Sequence, residues 1–429
     1  MRAYIKTYGC TLNASDADLM RCMLEADGIE VVRHADAADV VVLNTCTVKR
    51  ATEQRIVHAL GTMAGMRVVV TGCMAGANAD TIARAAPHAS IVTQPNICHI
   101  ADAVRQASAG ARTVIDGYAH TDRAALLARM LGSNRTGPVA RIGIGDGCLS
   151  ACAFCETRYA RGPLNSFSAQ QIIAAVRGSV AGGAVDVQLA AQDAGAYGAE
   201  RRTNIVELMR AVSEIEGDFK VRIGMLNPEH LGGYIKEFAS ALNHERFYKF
   251  VHLPVQSGSD AVLHDMRRRY SVESFEEQVR VLRSEIEGVA IATDIIVGYP
   301  TESDEDFEDT MALLSRMRFE MINISRFAPR PHARASSLPQ LPARLIKERS
   351  VRASRHARSI MAQNNSEFIG RDVEFRVTEE TRASLNGKSD SYRQVVLRKG
   401  ACAAGASLGE RLRGRVYAAS AYALYARVV

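Results

Sequence analysis

Three cysteines, Cys148, Cys152 and Cys155, stand within eight residues in the segment GCLSACAFCETRYARG. Their C-x-x-x-C-x-x-C spacing offers three thiolates to one metal centre. Structural zinc asks for four closed ligands, and no fourth Cys or His stands close by to complete the set. A cubane iron–sulfur cluster normally takes four cysteines, so three leave one iron without a protein ligand. An open iron of this kind in a [4Fe-4S] cluster can chelate the amino and carboxylate groups of S-adenosylmethionine. An electron from the cluster then breaks the sulfonium bond and yields a 5′-deoxyadenosyl radical, strong enough to take hydrogen from an unactivated C–H. Phe154, between the last two cysteines, is placed to cover the cluster and pack near the adenine. The triplet predicts radical chemistry.

Such a loop needs a scaffold, and the apolar rhythm supplies one. The first hundred residues alternate short apolar runs (Tyr4 to Tyr8, Asp39 to Asn44, Arg67 to Thr71) with amphipathic segments (Asp16 to Asp27, Arg50 to Ala64). That is a βα repeat, which implies a parallel sheet whose functional edge lies at the carboxyl ends of the strands. Cys10, Cys46 and Cys73 each fall just past such an end, so three residues distant in sequence converge on one edge. Residues 111–138 read as a linker containing a short helix, Asp122 to Met130. A second βα block follows, with strands Val139 to Ile144, Val185 to Ala190, Lys220 to Met225, Phe250 to Leu253 and Ala290 to Val297. Over about 200 residues this rhythm predicts a partial or complete parallel barrel. From Ile369 onward the runs are short and strand-like, with turns at Asn386-Gly387 and Gly405, as in a small antiparallel β-barrel of the sort that often binds nucleic acid. The fold class is α/β, with boundaries at 1–110, 111–138, 139–345, 346–362 and 363–429.

Nine cysteines in 429 residues, without a secretory signal, favour metal or catalysis over a disulfide framework. Cys22 lies at helical spacing with Leu19, Met20 and Met23 and reads as core; Cys98 and Cys402 have no partner in motif spacing. The net charge of +6 is unevenly spread. Residues 330–362 carry eight Lys/Arg against one acid and residues 363–429 eleven against seven, leaving the first 329 residues at net −5. A basic carboxyl-terminal quarter on an acidic body suggests a polyanionic partner, against a plainly solvated helix face. No apolar stretch approaches the roughly 18 residues of a membrane span. The amino-terminal residues have no long apolar core or cleavage site, which predicts a cytoplasmic protein.

Taken together these segments resemble one family, the radical S-adenosylmethionine methylthiotransferases, in the archaeal and eukaryotic branch acting on N6-threonylcarbamoyladenosine of tRNA. The resemblance rests on TYGCTLNASDAD, LNTCTVKRATEQR and VTGCMAG in the first block. In the second it rests on GCLSACAFCETRYARGPLNS, AAQDAGAYG, RIGMLNPEH, HLPVQSGSDAVLHDMRRRY and DIIVGYPTESDEDF. FAPRPHARA resembles the family's junction, although the family usually has a glycine and a threonine near His332 and Ala333, and GKSDSYRQVVL resembles its RNA-binding TRAM barrel. The resemblance implies that Cys10, Cys46 and Cys73 hold a second [4Fe-4S] cluster with an open iron, where the inserted sulfur is bound or supplied. It implies cofactor contacts from Gln192, Asp193, Gln256, Ser257 and Asp294, each of which could equally satisfy a loop backbone; His252 reads as a packed strand residue. It further implies tRNA as substrate, an electron donor and a sulfur source. Two other readings compete: the same chemistry on a ribosomal-protein side chain, and an iron–sulfur RNA-binding redox sensor without turnover.

Overall fold

The computed structural model describes residues 1–117, Leu126, 137–400 and 405–429. Cys402, and all of the expected helix Asp122 to Met130 but Leu126, lie outside the described residues. The valine runs Val40–Leu43 and Val68–Val70 are buried on both faces, as strands inside a parallel sheet must be. Arg2–Thr7 (β1), Glu30–Val32 (β2), Val40–Thr45 (β3), Val68–Gly72 (β4), Ser90–Val92 (β5) and Val114–Ile115 (β6) form this sheet in the order β2-β1-β3-β4-β5-β6. The last of these falls inside the span read as linker. Helix Thr11–Ala26 lays Leu19, Met20, Cys22 and Met23 onto a core shared with the second block.

That block contributes Val139–Gly143 (β7), a two-residue pair Gly145–Asp146 (β8) with Asn165–Ser166 (β9), Asp186–Ala190 (β10), Lys220–Ile223 (β11), Phe250–His252 (β12), Ala290–Val297 (β13) and Met321–Arg326 (β14). Two parallel three-stranded sheets, β7-β10-β11 and β12-β13-β14, are joined by the bridges Val221↔Phe247 and Met225↔His252. The result is a six-stranded partial barrel. Residues such as Val187, Val221, Val251 and Ile291 face the outer helices, while their neighbours Gln188, Arg222, Phe250 and Ala290 do not join that core. Helix Ala343–Ser366 packs on β14 through Ala353, Ala357, Ile360 and Met361. Its buried Arg349 donates to Glu302 and, at 2.6 Å, to Asp304 Oδ1.

Asp372–Glu380 (β15), Ser384–Ser389 (β16), Gln394–Arg398 (β17), Arg411–Ala419 (β18) and Leu424–Val428 (β19) close a barrel in the order β15-β16-β17-β19-β18. Two expectations are corrected here. Asn386-Gly387 is not a turn but lies within β16, where a Cβ on Gly387 would meet Arg376 O at 2.4 Å; the glycine permits a close crossing of strands. The seam between β17 and β19 is parallel, against the antiparallel pattern of the other four. The turn before β17 inserts Tyr392 against Tyr248 and Phe250, with ring centroids 4.8 and 5.2 Å away, so the small barrel is keyed into the larger one. Among the described residues, no helix is long and apolar enough to cross a membrane.

Candidate metal centres and cofactor site

β1, β3 and β4 are neighbours, and each is followed at the same sheet edge by a cysteine. Cys10 caps helix Thr11–Ala26, Cys46 follows β3, and Cys73 opens helix Cys73–Ala77. The glycines before two of them are obligatory. Gly9 has φ +111°, and a Cβ there would sit 3.0 Å from Cys46 Sγ; Gly72 has φ +89° and would meet Thr45 O at 2.3 Å. Asn13 lies among the three: its amide donates to Tyr8 O and Thr45 O at 2.9 and 2.8 Å, and its Oδ1 lies 3.8 and 3.6 Å from the sulfurs of Cys10 and Cys73. Arg161, with a side chain 0% exposed, enters from the second block. It donates to Cys73 Sγ at 3.2 Å, Asp146 Oδ1 at 2.9 Å, Asn13 Oδ1 at 2.8 Å and Asp16. Burial pushes Cys73 up to about 12 and raises Cys46. Burial also opposes the charge on Arg161, but Asp16 and the adjacent sulfurs outweigh it and keep the guanidinium protonated.

The second triplet occupies the loop between β8 and β9. Gly147, at φ +68°, is the only residue type the loop admits there, since a Cβ would overlap Pro163 O. Cys148 N donates to Gly162 O at 3.2 Å, and Ala153 N to Met266 O at 3.0 Å, tying the loop down at both ends. Arg268 donates to Cys152 Sγ at 3.3 Å and to Pro254 O at 3.1 Å, with its Nε 2.8 Å from Tyr270 Oη. Burial, then the charge of Asp193, pushes Cys148 up to about 12; burial raises Cys155. Among the described residues, no three His, Cys, Asp or Glu side chains gather as they would around a single ion. A cluster asks for a wider set, because each thiolate takes a different iron. Three thiols per site, one of them in each triplet touched by a guanidinium, suit an iron–sulfur cluster whose negative charge the arginine offsets.

The two triplets are close neighbours in space. Helix Thr157–Arg161, two residues beyond Cys155, packs on helix Cys73–Ala77 so tightly that a Cβ on Gly76 would lie 2.9 Å from Ala160 O. Thr47, beside Cys46, hydrogen-bonds Glu156, beside Cys155. Burial raises the Glu156 carboxyl. The junction segment closes over this seam. His332 Nε2 donates to Ala77 O at 2.9 Å, its ring stacks on Tyr159 at 3.6 Å, and Ala335 N donates to Ala153 O at 2.9 Å.

The remaining expected residues fall around the second triplet and at the carboxyl ends of the barrel strands. Phe154 packs with Tyr299, Phe327 and Met266. Asp193, buried beyond β10, accepts from Gly195 N and Asn227 N, both at 2.9 Å, and meets His230 Nδ1 at 2.6 Å; Gln192 beside it is half-buried. Asn227 in turn donates to Ser150 Oγ at 2.9 Å, so Asp193 steadies the cysteine loop through one intermediate. Gln256 holds φ +76°, rare for a side-chain-bearing residue, with its backbone bonded to Asp294 O and Ile296 N. Ser257 is turned inward, accepting from Ser259 N at 3.2 Å. Asp294 Oδ2 meets His252 Nε2 at 3.0 Å and Asn323 donates to its Oδ1 at 2.8 Å; burial opposes its charge, but these partners hold the carboxyl below its usual range. His252, at the end of strand β12, is a half-buried hydrogen-bond partner of Asp294. Cys22 is core, and Cys98 lies half-buried against it. Sequence reading missed Asn13, Thr47, Glu156, Arg161, His230 and Arg268. Several sit inside the quoted motifs, but only folding reveals what they touch.

Comparison with known proteins agrees with this geometry. Residues 2–94 match uncharacterized protein family UPF0004, and residues 142–314 the radical SAM superfamily. The methyltransferase TsrM from Kitasatospora setae, a radical S-adenosylmethionine enzyme, shares the fold, with a TM-score of 0.57 at 13% identity over 78% of this chain and 75% of that one. The chain is therefore a radical SAM enzyme, of a class that works with a [4Fe-4S] cluster and S-adenosylmethionine. Its relatives narrow the class. A probable threonylcarbamoyladenosine tRNA methylthiotransferase of Pyrococcus abyssi is 35% identical over 92% of this chain and 93% of its own length. That of Archaeoglobus fulgidus is 37% identical over 92% and 93%, and the human threonylcarbamoyladenosine tRNA methylthiotransferase 33% identical over 93% and 69%. The chain belongs to the threonylcarbamoyladenosine tRNA methylthiotransferase family.

Proposed function

We propose that this enzyme replaces the C2 hydrogen of N6-threonylcarbamoyladenosine, next to the tRNA anticodon, with a methylthio group. In this reading Cys148, Cys152 and Cys155 hold the cluster that binds S-adenosylmethionine, and Cys10, Cys46 and Cys73 hold the auxiliary cluster. The observation that supports it is the meeting, across one seam, of two cysteine triplets that each carry an arginine on one sulfur; in this reading a radical source lies beside a sulfur site. When bound, the two [4Fe-4S] clusters and S-adenosylmethionine would supply the radical and the methyl group and hold the sulfur to be inserted.

The chain's own residues prepare this chemistry. Arg268 and Arg161 each place a cation against one ligand sulfur of a triplet, where it would offset a cluster's negative charge. Asp193, through Asn227 and Ser150, holds the cysteine loop against the strand ends. Gln192, Asp193, Gln256, Ser257 and Asp294 line the strand ends where the cofactor would lie, and Phe154 covers it from the loop. The exposed bases Arg344, Lys347, Arg352, Arg355 and Arg358 on helix Ala343–Ser366, with the terminal barrel, meet tRNA phosphates. A one-electron reductant and a sulfur donor come from outside the chain.

The test is anaerobic reconstitution with iron and sulfide, followed by incubation with threonylcarbamoylated tRNA, S-adenosylmethionine and a reductant. Mass spectrometry of the digested nucleosides should find the 2-methylthio derivative, and its absence from a fully loaded enzyme refutes the reading. Product on ribosomal subunits but not on tRNA would move the substrate to protein.

A further inference from the structure

Thr47 follows Cys46 and Glu156 follows Cys155, and the two side chains meet across 109 residues of sequence. The Thr47 hydroxyl also lies 2.9 Å from Glu53 Oε1 and 3.3 Å from Asn78 Nδ2, while Arg330 grips the other oxygen of Glu53 and donates to Val48 O at 3.0 Å. Thr47 is 1% exposed, Glu156 3% and Arg330 6%. Burying a carboxyl here is costly, and the second oxygen of Glu156 finds no hydrogen-bond partner among the described residues. An apolar contact would seal the seam at less cost, but it would tolerate sliding. A directional hydrogen bond does not, and specifying one arrangement is the best-attested use of buried polar pairs. Both partners are covalent neighbours of cysteines from different triplets, so displacing either loop breaks the contact.

We propose that the Thr47–Glu156 bridge, braced by Glu53, Asn78 and Arg330, is a positioning device that sets the separation of the two clusters. The inference rests on the functional reading above. Radical and sulfur must reach the same carbon, and a misplacement of about 1 Å can cost about 100-fold in rate.

Four full-length variants test it after anaerobic reconstitution. Thr47→Val and Glu156→Ala remove the bridge; Thr47→Ser and Glu156→Gln keep a hydroxyl or a carbonyl in its place. Each is measured for iron and sulfide per chain, for the inter-cluster distance distribution by pulsed electron paramagnetic resonance, and for methylthio product per 5′-deoxyadenosine. Thr47→Val and Glu156→Ala should keep both clusters, broaden the distance distribution and lower the product ratio by roughly 10- to 100-fold. Thr47→Ser and Glu156→Gln should restore both readouts. The proposal is overturned if all four keep the native ratio and distribution, or if the lost ratio merely follows lost iron. Should even the native chain make no methylthio nucleoside, the functional reading falls, while the distance distributions still decide whether the bridge positions the clusters.

Discussion

Arg161 is fully buried, and its guanidinium serves Cys73, Asn13, Asp16 and Asp146 at once. Removing one side of a buried ion network leaves the other side's charge uncompensated, which costs about 3–5 kcal/mol. Arg161→Met should therefore lower the unfolding free energy of the metal-free chain by about that much in urea titration, and a loss under about 1 kcal/mol would contradict the assignment. Arg161→Lys should recover only part, because an ammonium cannot present a planar fork to several acceptors. None of this was legible in sequence. The partners stand 15, 88, 145 and 148 residues away, and an arginine in RYARG carries no local mark of burial. The grouping of the cysteines was legible because its signals are local: Cys148, Cys152 and Cys155 stand within eight residues, and Cys10, Cys46 and Cys73 each stand just past an apolar run of the parallel sheet.

At the level of elements, strands showed in the sequence where a long apolar run ended in a glycine–cysteine turn, as at Val68–Gly72. They did not show where pairing alone defines them: Met321–Arg326 mixes polar and apolar residues, and Ser384–Ser389 carries an Asn-Gly pair that elsewhere makes a turn. The turn bearing Tyr392 is likewise a tertiary product. Tyr392 sits at φ +59°, accepts through its hydroxyl from Gln188 Nε2 at 2.9 Å, and lies under the guanidinium of Arg222 at 5.1 Å. Asp390 pairs with Lys220, and Arg376 with Asp218, around it. Tyr392→Ala empties an aromatic socket, so it should destabilise the chain by about 3–5 kcal/mol. Limited proteolysis offers the clearest check: the terminal barrel should be released intact from the variant at protease levels that leave the native chain whole.

At the scale of the molecule, the same socket carries a pH signature. Burial pushes the Asp186 carboxyl up to about 6, against the pull of Gln188, Lys388, Arg222 and Arg141. Its unfolded value is about 4. Between about pH 4 and about pH 6 the folded chain holds a proton that the unfolded chain has lost, so this group's contribution to stability falls as pH rises through that window. Asp186→Asn should accordingly be about 2 kcal/mol more stable than the native chain at pH 8, and no more stable at pH 4, in urea midpoints. An equal difference at both values would refute the assignment. The basic helix makes a separate prediction. Lys347→Gln with Arg355→Gln should weaken tRNA binding alike for every sequence and reduce the slope of log affinity against log salt by roughly 0.7–0.9 per lost phosphate contact. The composite pocket around Cys73 has one further consequence, for biosynthesis. The strands that carry Cys10, Cys46 and Cys73 lie within the first hundred residues, but the guanidinium on Cys73 arrives only at position 161. If Cys10, Cys46 and Cys73 hold an auxiliary cluster as proposed above, that site stays unfinished during translation until residue 161, beyond the loop carrying Cys148, Cys152 and Cys155, has emerged, so the proposal expects both sites to be loaded on one nearly complete chain.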